Sequence, residues 1–179
     1  MKFTPLEISG LVVVEPRVFP DARGFFYESY RADLFSQNGI KDVFIQDNHS
    51  RSAKGALRGL HFQKNPMAQG KLVRVIRGSV FDVALDIRPG SKTYGKHASI
   101  VLSADNKKML YVPPGFAHGF CVLEEDTEFL YKVTNVYSPE HERGILWNDP
   151  DLGIAWPKLE SFILSDKDKK YPCLKDYKG

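Results

Sequence analysis

Two histidines stand in glycine-rich company: His61 in Leu57-Arg58-Gly59-Leu60-His61-Phe62-Gln63, and His118 in Val112-Pro113-Pro114-Gly115-Phe116-Ala117-His118-Gly119-Phe120. An imidazole titrates near neutrality, so it serves either as a metal ligand or as a general acid or base. Metal is the first reading to weigh, and the neighbouring residues speak against it. Lys71 opens the next apolar run, and an ammonium aimed into the same site opposes a divalent cation. Two histidines alone also fall short of the three protein ligands of a catalytic zinc site. The plain alternatives are a core histidine and a solvated lysine at a strand start.

The elements that must position these side chains read as strands. Phe81, Val83, Leu85 and Ile87 alternate with Asp82, Ala84, Asp86 and Arg88, a period of two that puts one apolar row on one face of a strand over 80–88. The run 71–76 reaches it through Arg77-Gly78-Ser79, which predicts a hairpin. Further β runs are 10–14, 25–30, 98–102, 109–112, 120–123 and 128–137. In the last of these Tyr131 and Tyr137 share a parity and should face the same side. Many short strands with little helical pattern predict an all-β sandwich or barrel. Helix is expected only at 31–38, with Leu34 and Phe35 inward and Gly39 as the stop, and at Ser165–Asp168, where Ser165 caps.

Composition narrows the function classes. The chain has 179 residues, 42% of them apolar and 26% charged, and Lys plus Arg exceed Asp plus Glu by 25 to 22. This is an ordinary globular balance and fits one domain over 1–179, with no basic run to hold nucleic acid. Cys121 and Cys173 lack C-x-x-C spacing and frame neither a zinc finger nor a disulfide scaffold, which fits a reducing cytoplasm. The N-terminus has no sustained apolar segment and no stretch approaches the ~20 apolar residues of a membrane span, so neither export nor membrane insertion is expected.

The second histidine stretch resembles the Pro-x-Gly-x-x-His element of cupins, double-stranded β-helix (jelly-roll) proteins that often bind metal. The first stretch departs from the metal-binding pattern, because Gln63 stands where a second histidine would. A closer resemblance spans nearly the whole chain. Phe19-Pro20-Asp21-Ala22-Arg23-Gly24-Phe25-Phe26, Gln46-Asp47-Asn48-His49-Ser50, 55–63, Gly70-Lys71-Leu72-Val73-Arg74-Val75, 111–120 and Leu164-Ser165-Asp166-Lys167-Asp168 resemble, in order, the dTDP-4-dehydrorhamnose 3,5-epimerase family.

That resemblance implies a cupin-like jelly roll with a few short helices. It also implies an isomerase without metal or organic cofactor that converts dTDP-4-dehydro-6-deoxy-D-glucose to dTDP-4-dehydro-L-rhamnose, on the route to dTDP-L-rhamnose. Hydrogens on C3 and C5 adjoin the C4 ketone, so a base can remove one and leave an enolate, which an acid then reprotonates from the opposite face. The resemblance assigns His61 as base with Asp168 orienting it, Lys71 as enolate stabiliser and Tyr131 as acid. Substrate contacts fall to Arg23, Glu28, Gln46, Asp47, Asn48, Arg58, Lys71, His118, Glu142 and Lys167, with Tyr137 stacked on thymine. Strand parity puts Arg58 and His61 on opposite faces, so either Gly59 permits a bend or Arg58 serves a neighbouring subunit.

The family is typically a homodimer that exchanges N-terminal strands, so residues near Arg23 and Glu28 are expected to complete the partner's site. Three rival readings stand beside this one. They are an epimerase of a single centre, C3 or C5, in another deoxysugar pathway; a metal-dependent cupin enzyme; and a sugar-nucleotide binder without catalysis.

Overall fold

The computed structural model describes residues 1–178. In chain order its strands are Lys2–Pro5 (β1), Val12–Glu15 (β2), Phe19–Asp21 (β3), Gly24–Phe26 (β4), Gln46–Ser52 (β5), Leu57–Gln63 (β6), Lys71–Arg77 (β7), Ser79–Asp86 (β8), His97–Ser103 (β9), Met109–Val112 (β10), Phe116–Val122 (β11), Thr127–Val133 (β12) and Glu142–Gly144 (β13). A short helix, Ala32–Gln37 (α1), and a 3₁₀ turn at Leu174–Asp176 complete the elements. One sheet runs β1-β2-β10-β7-β12-β5, the other β13-β6-β11-β8-β9, and β3 and β4 form a separate hairpin. From β5 onward the chain changes sheet at every connection but the one from β8 to β9, which produces the two facing sheets of an antiparallel jelly roll.

The period of two places the side chains. Val13, Val73, Val75, Leu110, Phe116, Phe120, Val122 and Phe129 fill the space between the sheets. Each outer face is covered in part. Phe35 of α1 and Ile40 cover the six-stranded sheet at Val14, Leu72, Met109 and Tyr111. Leu152, Trp156 and Leu174 of the C-terminal segment cover the five-stranded sheet at Leu60, Val83, Leu85 and Ala117. With both faces covered, a central strand such as β11 is buried at every position, which is why its sequence is almost continuously apolar.

Several expectations are corrected. The runs 71–76 and 80–88 do not form a hairpin: β7 pairs with β10 and β12, and β8 with β9 and β11. Gly78, at φ +73°, carries the chain from one sheet to the other, and Thr127 sits where a Cβ on it would lie. Both flanks of each strand are already taken, so the tight connection becomes a crossover.

The apolar row of β8 faces the C-terminal layer, and its other row, which alternation alone would give to solvent, is also buried. Asp82 and Asp86 there are fully enclosed, each with partners: Asp86 accepts hydrogen bonds from Arg88, Ser91 and Thr93. The strand expected over 128–137 ends at Val133, and that expected over 25–30 ends at Phe26. Helix 31–38 forms as α1 with Phe35 buried and Leu34 half-buried. Residues 165–168 make a turn instead of a helix. Ser165 Oγ still accepts from the Asp168 amide at 3.1 Å, but the chain must then turn back so that Pro172 can accept from the Leu146 amide at 2.8 Å.

Candidate active site

A cavity of about 550 Å³ opens between the sheets and is lined from both sides, by Arg58, His61 and His118 of the five-stranded sheet and by Lys71, Phe129 and Tyr131 of the six-stranded sheet. The loop bearing Ser165, Lys167 and Asp168 closes one wall.

A β-bulge brings Arg58 and His61 together. On β11, His118 pairs with His61 and Phe120 with Arg58, so two steps on one strand match three on the other. Gly59 takes up the difference at φ +129°, where an added Cβ would lie 2.5 Å from the Gly119 Cα. No other residue fits so close to a facing backbone, and the bulge turns both polar side chains to the same cavity. Of the alternatives left by parity, the bend is the one adopted.

His61 Nε2 lies 2.5 Å from Asp168 Oδ1. A carboxylate only accepts, so this contact assigns the imidazole proton to Nε2 and leaves the Nδ1 lone pair free to take another. Burial pushes the Asp168 carboxyl up, but its contacts with His61 more than offset this and hold it below the usual carboxylate range. Beside it, across the β6–β11 pairing, His118 Nε2 lies 3.0 Å from each oxygen of the buried Asp82.

Lys71 begins β7 on the same inner row as Val73 and Val75, so its side chain enters the cavity from the sheet opposite His61. Its Nζ donates to the His61 carbonyl oxygen at 3.3 Å. Burial pushes this ammonium down to about 8, against the opposing pull of Asp82 and Glu142. Tyr131 shares the inner row of β12 with Phe129 and Val133. Burial raises its phenol, Arg58 works against that rise and Glu142 adds to it.

At the cavity's rim, Lys167 Nζ donates to Glu142 Oε2 at 2.5 Å and the Tyr137 hydroxyl donates to the same oxygen at 2.8 Å. Burial alone would raise Glu142; those two donors hold its carboxyl below the usual range. Tyr137 therefore reaches the site from a loop rather than from the strand expected to carry it. Gln46 and Asn48 occupy the same face of β5 as Ser50, which lines the cavity. They bond to each other at 2.8 Å, and Gln46 Oε1 accepts from the Tyr137 amide at 3.1 Å.

Three of the named residues lie elsewhere. Asp47 points to the outer face of the sheet, paired with Lys132 at 2.9 Å. Arg23 sits at the β3–β4 turn with its side chain in solvent, bonded to Asp21. Glu28 follows that hairpin, 3.6 Å from Arg31.

Asp82 is the site residue that sequence alone does not single out. It stands in the polar row of the alternating run 80–88 together with Asp86 and Arg88, and nothing in that pattern distinguishes it from a solvated carboxylate. Gln63, at the position where a metal cupin has a histidine, works as a clamp: its amide donates to Met67 and Val136 carbonyls at 2.6 and 3.1 Å and its oxygen accepts from the Ser138 amide at 2.7 Å. Among the described residues, no group of three or more His, Cys, Asp or Glu side chains is arranged to hold a metal ion. The arrangement combines an oriented base, a buried cation opposite it and a phenol beside that cation, a set suited to moving a proton at a carbon whose anion needs charge stabilisation.

A family model described as dTDP-4-dehydrorhamnose 3,5-epimerase matches residues 5–176. The dTDP-4-dehydrorhamnose 3,5-epimerase of Pseudomonas aeruginosa is 54% identical over 177 residues, covering 98% of this chain and 97% of its own. Among solved structures, that of dTDP-6-deoxy-D-glucose-3,5-epimerase from Legionella pneumophila in complex with dTDP-4-keto-L-rhamnose matches with a TM-score of 0.96 at 47% identity, covering 99% of this chain and 94% of that one. That of dTDP-4-dehydrorhamnose 3,5-epimerase from Bacillus anthracis with TDP and PPi bound matches with a TM-score of 0.92 at 47% identity, covering 96% and 98%.

Proposed function

The chain belongs to the dTDP-4-dehydrorhamnose 3,5-epimerase family, and from that premise we propose how its own residues carry the reaction. The enzyme is an isomerase that converts dTDP-4-dehydro-6-deoxy-D-glucose to dTDP-4-dehydro-L-rhamnose in dTDP-rhamnose synthesis. His61 Nδ1 removes the hydrogen from C3 or C5, and Asp168 stabilises the imidazolium that results. The electron pair moves onto the C4 oxygen, where the Lys71 ammonium meets the charge as it develops, an effect worth about 10²–10³ in rate. Tyr131, on the opposite sheet from His61, returns a proton to the other face of the carbon and inverts it. The substrate's own ketone supplies the acidity, so these side chains need no metal or organic cofactor.

The observation that carries this assignment is the placement of the His61–Asp168 pair and the Lys71 ammonium on facing walls of one cavity. Arg58, Lys167 and His118 supply donors for the diphosphate and sugar, and Tyr137 and Glu142 stand where the nucleoside would enter. His61→Ala should abolish turnover while dTDP still binds. Unchanged turnover would remove His61 from the mechanism.

Residues 1–179 are read as one domain, since both sheets and the C-terminal segment line a single cavity. The proposal extends to the assembly and is supported by what the chain leaves bare. The β3–β4 hairpin carries Phe19, Phe25 and Phe26 at 47, 62 and 66% exposure, more apolar surface than a lone hairpin keeps in water. A homodimer with exchanged N-terminal strands covers it and delivers Arg23 and Glu28 to the partner's cavity. Light scattering should return twice the chain mass, and a monomer at assay concentration refutes it. Among the described residues no helix is long and apolar enough to cross a membrane, and the enzyme is assigned to the cytoplasm, where its two cysteines would remain free thiols.

A further inference from the structure

Behind the imidazole of His61, away from the cavity, stands a residue with no part in the reaction as described. Tyr171 presents its ring to the His61 ring with centroids 5.7 Å apart and planes at 68°. It does not line the cavity, although Ser165, Lys167 and Asp168 of the same segment do. Its seat is prepared by sequence. Gly144 is the register partner of His61 across β6 and β13, and three carbons of the Tyr171 ring occupy the space that a Cβ on Gly144 would need. One segment thus delivers the carboxylate that bonds His61 Nε2 and the aromatic surface that backs the ring.

We propose that Tyr171, seated on the bare backbone of Gly144, is a positioning residue that holds the His61 imidazole in its Asp168-bonded orientation. An imidazole anchored at Nε2 alone can still swing about that bond and its own χ angles. A packed ring behind it removes that freedom and screens the His61–Asp168 contact from water, which keeps Nδ1 aimed at the substrate carbon. The aromatic ring does this work. The hydroxyl, which lies near Lys167, belongs to the rim network instead.

The inference rests on His61 being the base, and the test separates the two claims. Hydrogen exchange at C3 and C5 in deuterated water is measured for the wild type, His61→Ala, Tyr171→Ala, Tyr171→Phe and Gly144→Ala, with dTDP affinity and Tm for each. Tyr171→Ala should lower kcat about tenfold to a hundredfold, a part of the 10²–10⁴ that a positioned base contributes, with dTDP affinity within about twofold of that of Tyr171→Phe, which loses the same hydroxyl. Tyr171→Phe should recover kcat to within about threefold. Gly144→Ala, which displaces the ring without altering it, should reproduce the Tyr171→Ala loss. Long-range ¹⁵N–¹H spectra of His61 in the dTDP complex should show one tautomer in wild type and Tyr171→Phe, and averaged nitrogen shifts in Tyr171→Ala.

Wild-type kcat in Tyr171→Ala overturns the proposal, and so does a loss of dTDP binding beyond that of Tyr171→Phe and in parallel with kcat, since the ring would then serve binding or folding. Full activity in His61→Ala removes the reading beneath it. A dead His61→Ala beside a fully active Tyr171→Ala removes only the positioning role.

Discussion

Replacing Lys71 by Met should make the protein more stable and nearly inactive at once. The ammonium is held in the cavity at about 8, down from 10.5, and at ~1.4 kcal/mol per pH unit that difference costs the folded state about 3 kcal/mol while the lysine is charged. Some remaining solvent contact screens the charge, so ~2–3 kcal/mol is the working figure. Between pH 8 and 10.5 the unfolded chain binds more protons at this site than the folded one does, so stability rises through that window as the folded lysine gives up its proton. Methionine keeps the stem's packing and never carries the charge. Urea unfolding of wild type and Lys71→Met at pH 7 should therefore favour the variant by ~2–3 kcal/mol, and the gap should close by pH 10.5. Over the same comparison turnover should fall about 10²–10³-fold. A variant less stable than wild type at pH 7, or a gap that does not change with pH, refutes the reasoning, because Lys71 would then not be a buried cation kept at the expense of stability.

The same ammonium sets the alkaline limb of catalysis: kcat/KM should fall above pH about 8, and Lys71→Arg, whose guanidinium does not titrate in this range, should lose that limb whatever its absolute rate. Gly59→Ala should destabilise the fold by about 2–5 kcal/mol in urea unfolding, because the new Cβ meets the Gly119 backbone at positive φ; a cost under ~0.5 kcal/mol would mean that the bulge tolerates a side chain. Asp86→Ala should cost about 3–5 kcal/mol, since Arg88, Ser91 and Thr93 all donate to its enclosed carboxylate. These donors hold the Asp86 carboxyl well below the usual range despite its burial, so its contribution is complete above the ordinary carboxylate pKa and drains away as pH falls toward the folded value. Wild type and Asp86→Ala should accordingly converge in stability only in strong acid, and convergence already at pH 5 would contradict the assignment.

Much of this site is written in local sequence. The strand pattern puts Tyr131 on one row with Phe129 and Val133, whereas the direction of Lys71 comes from the resemblance. The ordered stretches around His61, His118 and Asp168 carried the family resemblance. What local sequence could not carry was set by distant contacts. Residues 71–88 look like a hairpin because Arg77-Gly78-Ser79 has turn composition, yet the partners of β7 and β8 come from 97–133. Alternation over 80–88 marks one apolar row and does not show that both rows of β8 are buried, the apolar row under the segment 145–177 and the row of Asp82 between the sheets. Parity set Arg58 against His61, and only the close approach of Gly59 to Gly119 reconciles them. Tyr137 reaches Glu142 from a loop because β12 stops at Val133, and Tyr171 meets His61 only because Gly144, its strand partner, lacks a Cβ.

The most direct test of the account is to incubate the enzyme with dTDP-4-dehydro-6-deoxyglucose in deuterated water and read the product by NMR. Wild type should give rhamno-configured product with deuterium at both C3 and C5, and His61→Ala should give neither label nor inversion. Label and inversion at one centre alone would make this chain a single-centre epimerase. Inversion without label from solvent would contradict proton abstraction by His61 altogether.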